Sequence, residues 1–88
     1  MNASKGLELT YYHDTYSEEF DEYYDKPYII EYKWLYFMNG EPECEVMNVT
    51  WEDEDGNGVI APSTSDKYLD RCIDRYMREN AEWVSQYA

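Results

Sequence analysis

Residues 28–38 read YIIEYKWLYFM, a run dominated by aromatic and aliphatic side chains. Aromatic and β-branched residues favour extended backbone, so this stretch predicts a long central β-strand. Asn39 and Gly40 follow it directly and form the strongest short hairpin signal, although Pro42 indicates a loop longer than two residues. The partner strand is predicted over residues 44–52, CEVMNVTWE, with one face formed by Glu45, Met47, Val49 and Trp51.

The next stretch, residues 51–60, reads WEDEDGNGVI and allows two interpretations. It resembles the opening of an EF-hand calcium loop, in which alternate positions supply oxygen ligands and a glycine permits a sharp turn. The resemblance ends where that loop needs a bidentate glutamate, because Thr64 occupies the position and Pro62 stands two residues before it. The glycines equally favour an acidic hairpin between residues 44–52 and a short strand at 59–61. We therefore predict a hairpin without a functional metal, and the weak calcium candidates are Asp53, Asp55 and Asn57.

From residue 63 onward the apolar residues recur at helical spacing. Ser63 and Asp66 fit a capping box just after Pro62, which predicts a helix over about residues 64–86. The stripe expected to face the sheet comprises Leu69, Cys72, Ile73, Tyr76, Met77, Asn80, Val84 and Tyr87. The outer face interleaves acids and bases that can pair at i,i+4, which is typical of a solvated helix surface: Asp70, Arg71, Asp74, Arg75, Arg78 and Glu79.

The N-terminal part contains an alternating segment and an acidic one. Residues 7–12, LELTYY, alternate apolar and polar side chains and predict a half-buried strand. Residues 15–25, TYSEEFDEYYD, place aromatic side chains at helical spacing, and Thr15 with Glu18 fits a capping box. A short acidic helix near residues 15–25, ended by Pro27, is the preferred interpretation, with an ordered loop as the alternative.

Together these segments predict an α+β fold. A small antiparallel sheet of three to four strands packed against one long C-terminal helix buries both apolar surfaces most simply. The 88 residues are the length of a single domain with a small core, so residues 1–88 are predicted to form one acidic α+β domain.

The net charge of −13 is the feature that most restricts function. Such a chain repels nucleic acid and anionic membranes, so neither is expected to bind directly, and a basic protein surface is the natural complement. Residues 1–64 carry 15 acidic and 3 basic side chains, whereas residues 65–88 carry 5 and 4. The predicted partner-binding residues are the two clusters in the acidic part: Glu18, Glu19, Asp21, Glu22, Asp25, Glu52, Asp53, Glu54 and Asp55.

No catalytic or cofactor signature stands out, and the protein is predicted not to be an enzyme and to need no cofactor. His13 is the only histidine and is expected to be a surface imidazole, although it stands beside Asp14. Cys44 and Cys72 are too few for a zinc site, and whether they form a disulfide stays open. The first residues, MNASKGLELT, lack the apolar run of a secretory signal, which predicts a cytoplasmic protein.

In size, acidity and lack of a catalytic motif, the sequence resembles the small phage proteins that block host defences, the DNA-mimic anti-restriction and anti-CRISPR inhibitors. The resemblance is to the class and to no motif of a particular member. It implies an inhibitor that occupies the basic nucleic-acid-binding surface of a host or defence protein, in the host cytoplasm if a phage encodes it.

Two other functions fit the sequence. One is an acidic adaptor or regulatory subunit that binds a basic partner without mimicry. The other, less favoured, is a weak calcium-binding module, against which Thr64 counts. Acidic tyrosine tracts are also similar to those of secreted inhibitors of coagulation-type proteases, but the missing signal makes that interpretation distant.

Overall fold

The computed structural model describes residues 7–35 and 43–81. Its elements are strands β1 (Leu7–Ser17), β2 (Glu22–Leu35), β3 (Glu43–Glu52) and β4 (Gly58–Ala61), followed by helix α1 (Lys67–Asn80). The strands form one antiparallel sheet in the order β1-β2-β3-β4. The α+β class predicted from the sequence, a small antiparallel sheet with one C-terminal helix, is confirmed. The helix does not have the length and apolar character needed to cross a bilayer, and it is the one helix in the described residues.

The core lies between one face of the sheet and helix α1. β2 contributes alternate residues to it, as the pleat of a strand requires, and the helix contributes residues four apart. The buried core residues are Tyr28, Ile30 and Tyr32 of β2, Val49 of β3, and Leu69, Ile73 and Met77 of α1. The opposite face of the sheet, which we call the outer face, is not covered by any element in the described residues.

A β-bulge divides β3 into two halves, and the alternation of side chains between the two faces of the sheet is reversed from one half to the other. Glu31 of β2 pairs with Asn48, but the next residue, Tyr32, pairs with Val46, which leaves Met47 as the extra residue. One inserted residue moves the following side chains to the other face of the sheet. The prediction that four residues of β3 share one face is therefore only half right. Val49 and Trp51 face the core, but Glu45 and Met47 do not. Cys44 and Val46 pack against the core in their place.

The predicted helix at residues 15–25 is wrong, because this segment is the end of a β-hairpin. β1 and β2 pair from Leu7 with Tyr32 to Ser17 with Glu22, and residues 18–21 form the turn. An isolated helix of this length is marginal in water, whereas Thr and Tyr favour a strand. Thr15 does not cap a helix, since its hydroxyl donates to the carbonyl oxygen of His13 at 2.9 Å.

The β1–β2 hairpin extends beyond the rest of the sheet. β3 pairs with β2 only along Ile29–Leu35, so residues 12–27 form a two-stranded extension that we call the arm. Pro27 lies inside β2 and does not end the segment, contrary to the prediction. A proline is tolerated there because one side of the strand has no ladder partner.

Helix α1 is shorter than predicted at its N-terminus and ends within the described residues. Its N-cap is Asp66, whose carboxylate accepts bonds from the amides of Tyr68 and Leu69, so Ser63 does not cap it. Helical geometry stops at Asn80, because Ala81 is extended. Leu69, Cys72, Ile73, Tyr76 and Met77 face the sheet as predicted, whereas Asn80 is exposed.

Some sequence predictions concern parts of the chain outside the described residues. They are the last three residues of the predicted central strand, the turn at Asn39 and Gly40, and the stripe residues Val84 and Tyr87.

Candidate functional site

A cleft of about 680 Å³ separates the arm from the end of β3. It exists because the pairing of β2 with β3 stops at Ile29 and Thr50, which leaves the arm separate from the β3–β4 hairpin. One side of the cleft is formed by residues 15–19 of β1 and the turn and by Tyr24, Lys26, Pro27 and Ile29 of β2. The other side is formed by residues 50–54. We call this opening the notch.

The notch brings parts of both predicted acidic clusters together. Five of the nine predicted partner-binding residues line it, although they lie more than 30 positions apart in the chain: Glu18, Glu19, Glu52, Asp53 and Glu54. The other four are outside its lining. Asp21 and Glu22 lie at the turn and the start of β2, Asp25 lies on the arm, and Asp55 lies in the β3–β4 turn.

The charge in the notch is poorly compensated. Lys26 is the only cation among its described lining residues, and its ammonium lies 5.6 Å from the centroid of the Tyr28 ring. Within residues 7–35 and 43–81, the ion pairs join Arg75 to Glu79 and Arg78 to Asp74, both on helix α1. The notch carboxylates are thus held in water without a cationic partner from the described chain, which leaves a negative potential at its mouth.

Asp53 differs from the other notch carboxylates because it builds the β3–β4 turn. One of its oxygens accepts bonds from the amides of Asp55 at 2.9 Å and Asn57 at 2.8 Å. Gly56 follows with φ of 82°, in the left-handed region where glycine is favoured. The hairpin prediction is confirmed, with Val49 opposite Ala61 and Glu52 opposite Gly58. The described residues contain no group of three or more Asp, Glu, His or Cys arranged to hold a metal ion.

On the solvent-facing side of helix α1, only some of the acidic residues form the ion pairs that the sequence predicted. Asp74 and Glu79 pair with arginines at i,i+4, at 3.0 and 3.4 Å. Asp70 instead accepts bonds from the hydroxyl and the amide of Thr64, at 2.7 and 2.9 Å. It therefore fastens the segment between β4 and the helix, and it is not a free surface charge.

Pairing of β1 with β2 places like charges opposite each other, once in the arm and once outside it, which sequence reasoning missed. Asp14 lies directly opposite Asp25, and Glu8 lies directly opposite Glu31. Like charges in such positions repel each other and destabilise a sheet. The Glu31 carboxylate accepts a hydrogen bond of 3.1 Å from the side-chain amide of Asn48, whereas Asp14 and Asp25 have no such donor among the residues described. A hairpin interpretation of residues 15–25 would have revealed the Asp14–Asp25 pair.

The single histidine is half-buried on the core face and is not a surface imidazole, contrary to expectation. Its Nδ1 lies 2.9 Å from the hydroxyl of Tyr11, and neighbouring residues of a strand point to opposite faces, so His13 and Asp14 do not form a catalytic pair. Burial raises the pKa of Tyr11 to about 12, and the adjacent Cys72 thiol adds to the rise. Both cysteines are free, and burial together with Asp74 raises the pKa of Cys44.

No family model, curated protein or solved structure matches this chain.

Proposed function

We propose that this protein is an inhibitor that binds the basic nucleic-acid-binding surface of a host or defence protein, as a DNA or RNA mimic of the anti-CRISPR or anti-restriction type. The observation that carries the proposal is the notch. Two hairpins hold Glu18, Glu19, Glu52 and Glu54 around one opening without cationic partners from the described chain.

The geometry suits a partner that normally binds a polyanion. Duplex DNA presents about one negative charge per 1.7 Å of its axis to the lysines and arginines that grip it. Carboxylates carried on two hairpins can bind the same basic residues, and because they have no cationic partner in the described chain they attract a basic surface at long range. The charge of −13 opposes direct binding of nucleic acid by this chain.

A second candidate is an acidic adaptor that binds a basic partner without competing with nucleic acid. The observation that favours it is the exposure of aromatic side chains on the arm, since tyrosines are typical anchors of ordinary protein interfaces. Under either function we propose a non-enzymatic protein that acts in the cytoplasm and takes no cofactor.

The experiment is affinity capture followed by competition. Immobilised protein is exposed to bacterial lysate at low salt, bound proteins are eluted with a salt gradient, and the main target is purified. The target is then titrated with a labelled DNA or RNA duplex in the presence of increasing amounts of this protein. We expect displacement of the nucleic acid, and an affinity that falls as salt rises because exposed charges are screened.

Formation of a ternary complex of target, duplex and this protein would contradict mimicry and favour the adaptor. The variant Glu52→Lys with Glu54→Lys should no longer displace the duplex although it stays folded. Both side chains are exposed, and neither accepts a hydrogen bond within the described residues.

A further inference from the structure

The arm exposes more aromatic surface than the fold requires. Tyr12 is 61% exposed, Tyr23 is 67% exposed and Phe20, at the turn, is 68% exposed. Tyr16 is 46% exposed, and the centroid of its ring lies 5.2 Å from that of Tyr23 across the two strands. Clustered exposed aromatics on a small protein mark an interaction surface more often than scattered ones do.

Strand register arranges these residues in rows on the outer face of the arm. Tyr12 lies opposite Pro27, Asp14 lies opposite Asp25, and Tyr16 lies opposite Tyr23. Successive rows on one face are about 6.6–6.8 Å apart, because a strand rises 3.3–3.4 Å per residue. The paired residues Asp14 and Asp25 are therefore bordered by Tyr16 and Tyr23 on one side and by Tyr12 and Pro27 on the other.

This arrangement is costly for the isolated protein but complementary to a cation. The carboxylates of Asp14 and Asp25 repel each other, and a lysine or arginine placed between them would relieve the repulsion. The neighbouring rings would contact its aliphatic stem and attract its charge. Residues 14–25 contain six acidic and no basic side chains, so a second copy of this chain is a poor occupant of the face.

The turn holds the arm in a defined shape. The Tyr16 hydroxyl donates to the carboxylate of Asp21, and the amide of Phe20 donates to the Ser17 hydroxyl oxygen at 3.4 Å. Asp21 adopts φ of 51°, which aspartate tolerates better than most residues. An ordered surface loses less conformational entropy on binding.

We propose that the outer face of the arm docks an amphipathic basic helix of the partner protein, with one lysine or arginine between Asp14 and Asp25 and apolar side chains against Tyr12, Tyr16 and Tyr23. The inference rests on the proposed binding of a basic protein. It adds an apolar contact that the notch charges alone do not provide.

The test uses two defined 18-residue peptides of equal length and charge. In the first, leucine and lysine are spaced to form an amphipathic helix, and in the second serine replaces leucine. Binding is measured by fluorescence anisotropy at several salt concentrations. We expect the leucine peptide to bind about tenfold or more tightly than the serine peptide, and to retain binding at salt concentrations that release the latter.

Variants separate the arm from the rest of the surface. Tyr23→Ala and, separately, Tyr12→Ala should each weaken leucine-peptide binding by about tenfold. The control is Tyr68→Ala on helix α1, where the side chain is 69% exposed, and it should change binding by less than about twofold. Tyr12 lies outside the Tyr16–Tyr23 ring pair, so its variant keeps the test valid if Tyr23→Ala misfolds.

A third variant gives opposite effects on stability and binding. Asp14→Asn with Asp25→Asn should raise the melting temperature, because the repulsion between the two carboxylates is removed. The same variant should bind the leucine peptide about tenfold more weakly. Unchanged binding of that variant, or equal affinity for the two peptides, overturns the docking inference but leaves a purely electrostatic inhibitor intact. Failure of both peptides to bind at low salt counts against the proposed basic partner itself. A dimer that the tyrosine variants dissolve would assign the face to self-association.

Discussion

The Tyr76 hydroxyl donates a hydrogen bond of 2.9 Å to the main-chain carbonyl of Thr10, 66 residues earlier in the chain. The bond joins helix α1 to β1, which lies at the edge of the sheet. The Tyr76 ring also lies 5.1 Å from that of Tyr11. Together these contacts fasten the strand that carries half of the arm.

Removing this bond should destabilise the fold measurably. Tyr76→Phe keeps the ring and deletes the donor, and we expect a loss of about 0.5–1.5 kcal/mol in the free energy of unfolding. Urea denaturation followed by tryptophan fluorescence measures it. Tyr68→Phe is the matched control on the same helix and should change stability by less than about 0.5 kcal/mol, because its side chain is 69% exposed. Equal losses in the two variants would contradict the role given to the bond.

The centre of the core should be far less tolerant. Ile73 is 3% exposed between the helix and the sheet, and Ile73→Ala should cost about 2–5 kcal/mol, as cavity-forming substitutions do. That range approaches the total stability expected of so small a domain. Arg75→Ala, two residues along on the exposed face, serves as the control and should be nearly neutral. A cost below about 0.5 kcal/mol for Ile73→Ala would mean that the helix does not pack as described.

The sequence was most informative where one periodicity dominated. The stripe Leu69, Ile73 and Met77 and the alternation of residues 7–12 predicted a helix and a strand correctly, because each has one face packed on the core. It failed at residues 15–25, where aromatics spaced for a helix equally fit two strands once Asp21 adopts a turn. It also failed at the β3 bulge, because an extra residue such as Met47 leaves no local signal.

The candidate site was predicted in composition but not in geometry. Both acidic clusters were identified from charge alone, yet only part of each lines the notch, since hairpin tips scatter neighbouring side chains to different sides. Asp53, one of the predicted partner-binding residues that line the notch, also holds the β3–β4 turn through two amide bonds, which the sequence did not indicate. Asp14 was overlooked because its significance depends on pairing with Asp25, a contact that only the strand register reveals.

Calcium should bind the β3–β4 turn weakly at best. One oxygen of Asp53 already accepts two amide bonds, and Thr64, at the position of the missing bidentate glutamate, donates to Asp70. We therefore expect a dissociation constant in the millimolar range or weaker. Heteronuclear NMR during a calcium titration tests this. Saturable shifts at Asp53, Asp55 and Asn57 at micromolar calcium would overturn it.

Stability should fall in strong alkali. Burial raises the pKa of Tyr11 to about 12 in the folded protein, whereas the unfolded side chain titrates near 10. The folded state therefore retains a proton that the unfolded state has released, so this contribution is complete below pH 10 and is lost as pH rises from 10 to 12. Tyr28, whose pKa burial also raises, acts in the same direction. Urea denaturation at pH 9 and 11 measures the loss, which should be smaller in Tyr11→Phe; an equal loss would exclude Tyr11 as a cause.

Charge reversal around the notch should slow association without unfolding the protein. Glu18→Lys with Glu19→Lys on the arm, and Glu52→Lys with Glu54→Lys at the end of β3, each change the local charge by four units at exposed positions. Attraction to a basic surface acts mainly on the association rate. At low salt we therefore expect the association rate constant to fall about tenfold or more. Stopped-flow measurements with the peptide of serine and lysine, and with the captured target, test this. The decrease should shrink as salt rises, because screening removes the same attraction. Asp53 is avoided, since its reversal would disrupt the turn. The control is Asp74→Lys with Glu79→Lys, which also changes the charge by four units but breaks only the exposed pairs with Arg78 and Arg75. If the control slows association as much as the notch variants do, the effect belongs to net charge, and the notch has no special role.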